Sequence, residues 1–438
     1  MVVFMKYIKK MKMFHIIVCF ALIIAILFMC ASCITNDDFE NPDLTDVNLI
    51  ETDLAIPTEP SQKEKIDEGE SGIFFDASTE IIEVTSFDGY TFKGKLTLPK
   101  GAKNVSKLVI YVNGSGPHTY DNRSDTFNVF DIFANKFSDC GVAFFSYNTR
   151  GVDVSSKPPL YKTINEDEYQ TYLPLNSLED VYHMIITIKR NERLKNCAVY
   201  LLGASEGTII APLVAEKYPN IVDGLFLWGY ANQNMKDILI WQNTGGPSMV
   251  FYRNYFEADE QGRVSREAYE SDPYNVISSI LANSAFESID TNGDGYITEE
   301  DFFPIWKNVV GYDLEELLSA IERRDDGWLK NNYGVINGHS VLPLTAAWFL
   351  QHFTLRSNME VLPNLNLPIY IFHGTLDQSV DVREVYKINE RFKELGKNNL
   401  TINIFENHSH DLNFIDIIQK NEMPAGIQAI FDTIHAME

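Results

Sequence analysis

Apolar residues arrive along this chain in two rhythms. Short runs with strand character cover Ile81–Thr85, Phe92–Leu98, Leu108–Val112, Ala143–Tyr147, Ala198–Leu202, Leu225–Trp228, Ile369–Phe372 and Leu400–Phe405. Between several of them apolar positions recur every three or four residues, at Leu178, Val181, Tyr182, Ile185 and Ile186, then over Thr208–Tyr218, Val382–Leu395 and Ile427–Ala436. Buried runs alternating with amphipathic helices predict an α/β domain whose mostly parallel sheet is covered on both faces. The first two runs turn at Asp88-Gly89, which predicts an antiparallel hairpin at one edge.

The rhythm breaks between Trp228 and Ile369. That stretch is mainly helical by pattern and carries helix-spaced aromatics at Trp241, Phe251, Tyr252, Tyr255 and Phe256. An insertion between two strands falls at the sheet end where α/β enzymes bind ligands, so it predicts a cap or lid. The aromatics are expected to form the cap's own core, with room for an apolar acyl pocket beneath them. The division that follows is a core of 73–231 and 359–438 with a helical cap of 232–358.

The N-terminus is an address. Lys6, Lys9, Lys10 and Lys12 precede an apolar run from Ile16 to Met29, then Cys30-Ala31-Ser32-Cys33. A basic segment, a short apolar segment and a small-residue cleavage site predict a secretory signal over 1–32. Its end resembles the lipobox of bacterial lipoproteins, which implies Cys33 as the lipidated residue, a membrane as partner through that lipid, and an extracytoplasmic location. An uncleaved anchor is the alternative; the run is short for a span of roughly 20 residues. From 33 to 72 the chain is poor in aromatics, with twelve acids between Asp37 and Glu70 against Lys63 and Lys65, and predicts a solvated tether.

Composition narrows the function. The chain has 438 residues, 45% hydrophobic, enough for a large core. Acidic residues outnumber basic ones 61 to 36, a formal charge of −25, which argues against nucleic acid as a partner. Five cysteines are too few for a disulfide scaffold. Cys140 and Cys197 precede different strands. Oligomeric state is not legible.

Three residues carry the chemistry. Gly203-Ala204-Ser205-Glu206-Gly207 joins a strand to a helix and sets the Ser205 hydroxyl on a sharp elbow. A serine needs a base to take its proton, and the base needs an orienting carboxylate. Ile369–Phe372 runs into His373-Gly374-Thr375-Leu376-Asp377, and Leu400–Phe405 runs into Glu406-Asn407-His408-Ser409-His410. The order Ser205, Asp377, His410 and the loop Asn113-Gly114-Ser115-Gly116-Pro117-His118 resemble the α/β-hydrolase family, most of all bacterial serine esterases with Gly-Ser-Gly-Pro after the third strand. The resemblance implies an eight-stranded α/β-hydrolase sheet and covers about 80–230 and 365–435. In that family the histidine lies about five residues past an aromatic ending the last strand, as His410 lies past Phe405; His408 is the rival base. Backbone N–H groups of Ser115 and Glu206 are the expected oxyanion donors. His118 has no role in triad logic and is expected to line the site or face solvent. Arg150-Gly151 match an Arg-Gly that the family carries after its fourth strand, and Arg150 is expected to pair with Glu206 and brace the elbow.

A second motif lies in the cap. Asp290, Asn292 and Asp294 stand at positions one, three and five of a loop, Gly295 at the sharp turn, Tyr296 offers a carbonyl, Thr298 is ninth and Asp301 twelfth. Apolar spacing at Ile277, Ile280, Leu281, Ala285 and Ile289 and at Phe302, Ile305, Trp306 and Val309 predicts helices on both sides. The loop, 290–301, resembles an EF-hand of the dockerin type, which implies a structural Ca2+ held by Asp290, Asn292, Asp294, Tyr296 and Asp301. No second loop is expected to pair with it. The function expected is an extracytoplasmic serine hydrolase cleaving small carboxylic esters through an acyl-enzyme, with no cofactor required for the chemistry. A peptidase or amidase on the same triad, or a non-catalytic surface protein that binds a partner through calcium, are the alternatives.

Overall fold

The computed structural model describes residues 78–437, apart from 125, 126, 159, 282, 337, 338 and 341. The expected signal 1–32, the tether 33–72 and Cys33 lie outside the described residues. No helix among the described residues is long and apolar enough to cross a membrane.

The central sheet has eight strands: β1 (Ser78–Thr85), β2 (Thr91–Leu98), β3 (Lys107–Val112), β4 (Ala143–Tyr147), β5 (Ala198–Ala204), β6 (Gly224–Trp228), β7 (Ile369–Gly374) and β8 (Leu400–Phe405). Their spatial order is β1-β2-β4-β3-β5-β6-β7-β8. The β1–β2 hairpin is antiparallel, as is β2 against β4; every later pair is parallel. This is the α/β-hydrolase sheet, mostly parallel and with β3 and β4 exchanged, as the resemblance implies.

Alternation along the strands explains why both faces are covered. Leu108 and Ile110 of β3 face one way, against Val181 and Ile185 of α2 (Pro174–Ile188) and Ile210 and Val214 of α3 (Gly207–Lys217). Val109 faces the other way, with Phe130, Phe133 and Phe137 of α1 (Val129–Asp139) and the closing helix. Residues of β5, β6 and β7 divide in the same manner, so each strand is apolar on both sides. The parallel strands therefore end together at one edge, and the loops leaving β3, β5, β7 and β8 meet there.

The insertion between β6 and β7 is helical, with α4 (Met235–Gln242), α5 (Gly246–Tyr255), α6 (Glu299–Val310), α7 (Leu314–Glu322) and α8 (Ala346–His352). It builds two small cores. Leu239, Tyr312, Leu317, Trp348 and Phe349 pack with Val152, Tyr169 and Tyr172 of the main domain. Tyr252, Phe256, Tyr269, Phe286 and Phe302 form the other, so Tyr252 and Phe256 do serve the cap's interior.

A long helix before the 290–301 loop is not found. A single turn at Val276–Ser279 and a 3-10 turn at Phe286–Ser288 stand there instead. Asn283, inside the stretch where the apolar spacing suggested a helix, adopts left-handed backbone, φ +59°, and breaks it, while Asn275, φ +55°, caps the short turn at its start. The C-terminal segment continues through α9 (Arg383–Glu394) to α10 (Ala425–Ala436).

Candidate active site

Ser205 lies between β5 and α3 with φ +53°, a strained conformation for a residue with a side chain. Its N–H donates to Trp228 O (2.9 Å), and its carbonyl accepts from the Thr208 N–H (2.8 Å) and hydroxyl (2.7 Å). The elbow must be glycine on both sides for a steric reason. A Cβ on Gly203 would sit 2.4 Å from Gly207 O, and one on Gly207 would sit 2.1 Å from Val112 O.

The residues expected as acid and base, Asp377 and His410, follow β7 and β8. Asp377 is fully buried; its Oδ1 accepts from the N–H groups of Ser379 (2.8 Å) and Val380 (2.9 Å), and its Oδ2 lies 2.7 Å from His410 Nδ1. That contact commits Nδ1 and leaves Nε2 as the nitrogen able to take a proton. His408, the rival, turns its Nδ1 to Glu406 O at 2.8 Å. Burial pushes the His410 imidazole down, but the charge and hydrogen bond of Asp377 more than offset this and hold it above 6.5. Burial likewise disfavours ionised Asp377, yet the neighbouring His410 and His373 and the hydrogen bonds keep its carboxyl below the usual value. His373, fully buried, accepts from Tyr230 N–H (3.1 Å) at Nδ1 and donates to Val380 O (3.1 Å) at Nε2, bracing the Asp377 turn.

Ser115 and Glu206 line one cavity with Ser205. Among the described residues neither the Ser115 nor the Glu206 backbone N–H has a protein acceptor, which suits them to an oxyanion. His118 is placed differently from expectation. Its Nε2 lies 3.2 Å from Ser115 O and its Nδ1 accepts from the Asn122 amide (3.0 Å), so it braces the loop that carries Ser115. Burial, then the Lys162 charge, pushes its imidazole down to about 4, which keeps it neutral.

The expected Arg150–Glu206 pair does not form. Arg150 makes a bidentate pair with Asp180 of α2 (Nε–Oδ2 and Nη2–Oδ1, both 2.7 Å) and reaches Asp88 in the β1–β2 turn (Nη1–Oδ2, 2.6 Å). Two carboxylates on the Arg150 side satisfy its fork. Glu206 instead accepts from Tyr172 Oη (2.5 Å), Trp348 Nε1 (3.1 Å) and His352 Nε2 (2.8 Å). None of these three donors was legible in the sequence, because Trp348 and His352 lie in the cap and Tyr172 in an unpatterned turn.

The cavity above Ser205 measures about 110 Å³ and is walled by Met235, Ile238, Tyr312, Leu342, Leu344 and Trp348. These are cap residues, so the cap shapes the space next to Ser205. It is fastened on the acid side too: Arg253 of α5 pairs with Asp381 (3.1 Å), and Arg383 bridges Asp381 and Glu299 of α6, each at 2.5 Å.

The 290–301 loop has oxygen donors of the type calcium prefers. Its carboxylates are turned to the protein, however. Asp290 Oδ1 accepts from Gly293 and Asp294 N–H groups and Oδ2 from Gly295 N–H. Asp301 accepts at Oδ1 from Thr291 N–H (2.9 Å) and Asn292 N–H (3.3 Å), and at Oδ2 from Thr298 N–H (2.7 Å) and hydroxyl (3.0 Å). Among the described residues no three carboxylate, imidazole or thiol groups converge closely enough to hold a metal. Asn292 Oδ1 caps Asp294 N–H, and Tyr296 joins a two-residue strand. That strand corrects one expectation: Tyr296-Ile297 pairs antiparallel with Val264-Ser265, so a second loop does face the first. It turns at Gly262 (φ +77°) as its partner turns at Gly295 (φ +89°), and Ser265 caps the helix that follows. It lacks the oxygen pattern that would reveal it, having Gln261 and Ala268 where acids would stand. Cys140 and Cys197 are free thiols.

No family model and no curated protein matches the chain. Solved structures do. A thermostable carboxyl esterase from Bacillus coagulans is similar over 82% of this chain and 99% of its own, at 14% identity and a TM-score of 0.45. An esterase from Exiguobacterium antarcticum is similar over 81% and 99%, at 12% identity and a TM-score of 0.42. An acylaminoacyl peptidase from Pyrococcus horikoshii is similar over 82% of this chain and 40% of its own, at 11% identity and a TM-score of 0.39. The fold therefore rests on the strand order and the elbow described above.

Proposed function

We propose that this chain is a serine hydrolase that cleaves carboxylic esters with short acyl groups. The observation that carries the reading is the 2.7 Å contact of Asp377 with His410, set at the same sheet edge as a strained Ser205 and two backbone N–H groups without protein acceptors.

Ser205 Oγ attacks the acyl carbonyl while its proton passes to His410 Nε2, and Asp377 stabilises the imidazolium. The oxyanion is held by the Ser115 and Glu206 N–H groups. Collapse breaks the ester C–O bond, and the departing alkoxide takes the proton from His410. Water then attacks the acyl-enzyme, its proton again going to His410, and the acid leaves with Ser205 restored. A cavity of about 110 Å³ is somewhat smaller than the roughly 150 Å³ space that holds benzene, so it suits an acyl chain of about three to five carbons. That size favours small esters over peptides.

The enzyme is held outside the cytoplasm by a lipid at Cys33. Calcium, where it binds the 290–301 loop, is structural and takes no part in the chemistry; Asp301 must trade N–H partners for the ion. The test of the reading is hydrolysis of p-nitrophenyl esters of graded acyl length by the protein and by Ser205→Ala, with a fluorophosphonate probe as a second readout. Wild-type turnover and labelling that vanish in Ser205→Ala support it; a folded protein that does neither overturns it.

A further inference from the structure

Glu206 presents two different groups to the site. Its backbone N–H is an oxyanion donor, and its side chain is a buried carboxylate, about 1% exposed, beside the nucleophile. A buried carboxylate persists only with strong hydrogen-bond partners, and here they come from two parts of the molecule. Trp348 and His352 both reach Oε1 from one face of α8 in the cap, four residues apart and so stacked on successive turns. Tyr172 reaches Oε2 from the main domain. The same Tyr172 oxygen accepts the Gly116 N–H (3.2 Å) and lies 3.4 Å from Gly114 O, the residues on either side of Ser115. One chain of contacts thus runs from His352 through Glu206 and Tyr172 to the loop holding the second oxyanion donor.

We infer that His352 is a positioning residue: through Glu206 and Tyr172 it sets the relative placement of the Glu206 and Ser115 N–H groups. This rests on the hydrolase reading. Oxyanion stabilisation depends on donors already in place when charge develops, and displacements of an ångström cost up to about a hundredfold in rate. His352 touches no reacting atom; its Nδ1 has no partner among the described residues, so its single hydrogen bond is the one to Glu206. The cap then completes the catalytic geometry as well as walling the acyl cavity.

The experiment compares wild type, His352→Leu, His352→Gln and Tyr172→Phe in the full chain. It reads kcat and KM on a short-chain p-nitrophenyl ester and the rate of Ser205 phosphonylation. Expected are a kcat and a phosphonylation rate about 10- to 100-fold lower in His352→Leu with KM within about twofold, since the interaction matters in the transition state. His352→Gln, which restores an N–H donor, recovers most of the loss, and a general packing defect would not be rescued this way. Tyr172→Phe, near-isosteric, lowers kcat similarly and serves as the measure if His352→Leu does not fold. Unchanged kcat in both His352→Leu and Tyr172→Phe, or glutamine no better than leucine, overturns the inference while leaving an active hydrolase. A wild type that neither labels nor turns over sinks the hydrolase reading, and this inference with it.

Discussion

Asp377 Oδ2 holds His410 at 2.7 Å, while His408, two residues away, is engaged by the carbonyl of Glu406. The turn after β8 carries one imidazole toward the buried carboxylate and the other away from it, which favours His410 as the base of the proposed mechanism. His408→Ala should therefore leave kcat within about twofold, while Asp377→Asn should lower it by about 10⁴-fold. Initial rates on a short-chain ester check both.

The protonation of His410 sets the acid limb of the pH profile. Its net pKa is raised, so the neutral, proton-accepting form is reached only above the ordinary histidine value of 6.5. kcat/KM should rise with pH and reach half its plateau above pH 6.5. His118, neutral above about 4, should add no second inflection in that range. A limb centred below pH 6 would contradict the assignment of the base.

Arg150 is a stability residue for the core. Its side chain is 2% exposed and that of Asp180 7%, so Arg150→Ala strands a buried carboxylate. The cost should be about 3–5 kcal/mol in denaturant unfolding. KM and kcat of the folded fraction should stay near wild type, because the guanidinium contacts neither Glu206 nor the cavity. Active-site titration, to count folded enzyme, separates the two effects.

The acyl cavity should respond to a change in its wall. Leu344 is 5% exposed and lines it from the cap. Leu344→Ala should move the preferred ester toward longer chains, with each added methylene worth about 1–3 kcal/mol of discrimination. It should also cost about 2–5 kcal/mol of stability as a truncated buried leucine. An unmoved chain-length optimum would mean that the acyl group binds elsewhere.

Calcium should act on the cap's stability alone. In millimolar calcium the melting temperature should exceed that in EDTA, by an amount reflecting about 2.7 kcal/mol if the ion stands at a hundredfold its Kd. Asp290→Ala should abolish the difference. Equal melting curves would show that Asp301 keeps its N–H partners.

Sequence legibility followed chain proximity. Most strands were readable because each is a short apolar run, the inner ones buried on both faces, and Ser205, Asp377 and His410 because each lies within five residues of the end of such a run. Contacts that join distant segments left no local trace. Arg150 could be matched to a motif but not to Asp180, since nothing in spacing says which of several carboxylates an arginine will meet. The tie of His352 to Glu206 spans 146 positions and starts in the cap, where no motif guides the eye. The helix expected before the 290–301 loop fails because apolar spacing says nothing of backbone conformation, and Asn283 takes a left-handed one in its middle.

The hydrogen bonds that hold buried Glu206 also bear on how the pocket would exchange its contents. Swinging α8 away would take the Trp348 and His352 donors from Oε1 and leave Tyr172 alone on Oε2. The Arg253–Asp381 and Arg383–Glu299 pairs fasten the opposite side. On the proposed hydrolase reading, esters small enough to slip past side chains would come and go with the roof in place, whereas bulkier ones would need these contacts to break: size selection would then be a matter of passage as well as of fit.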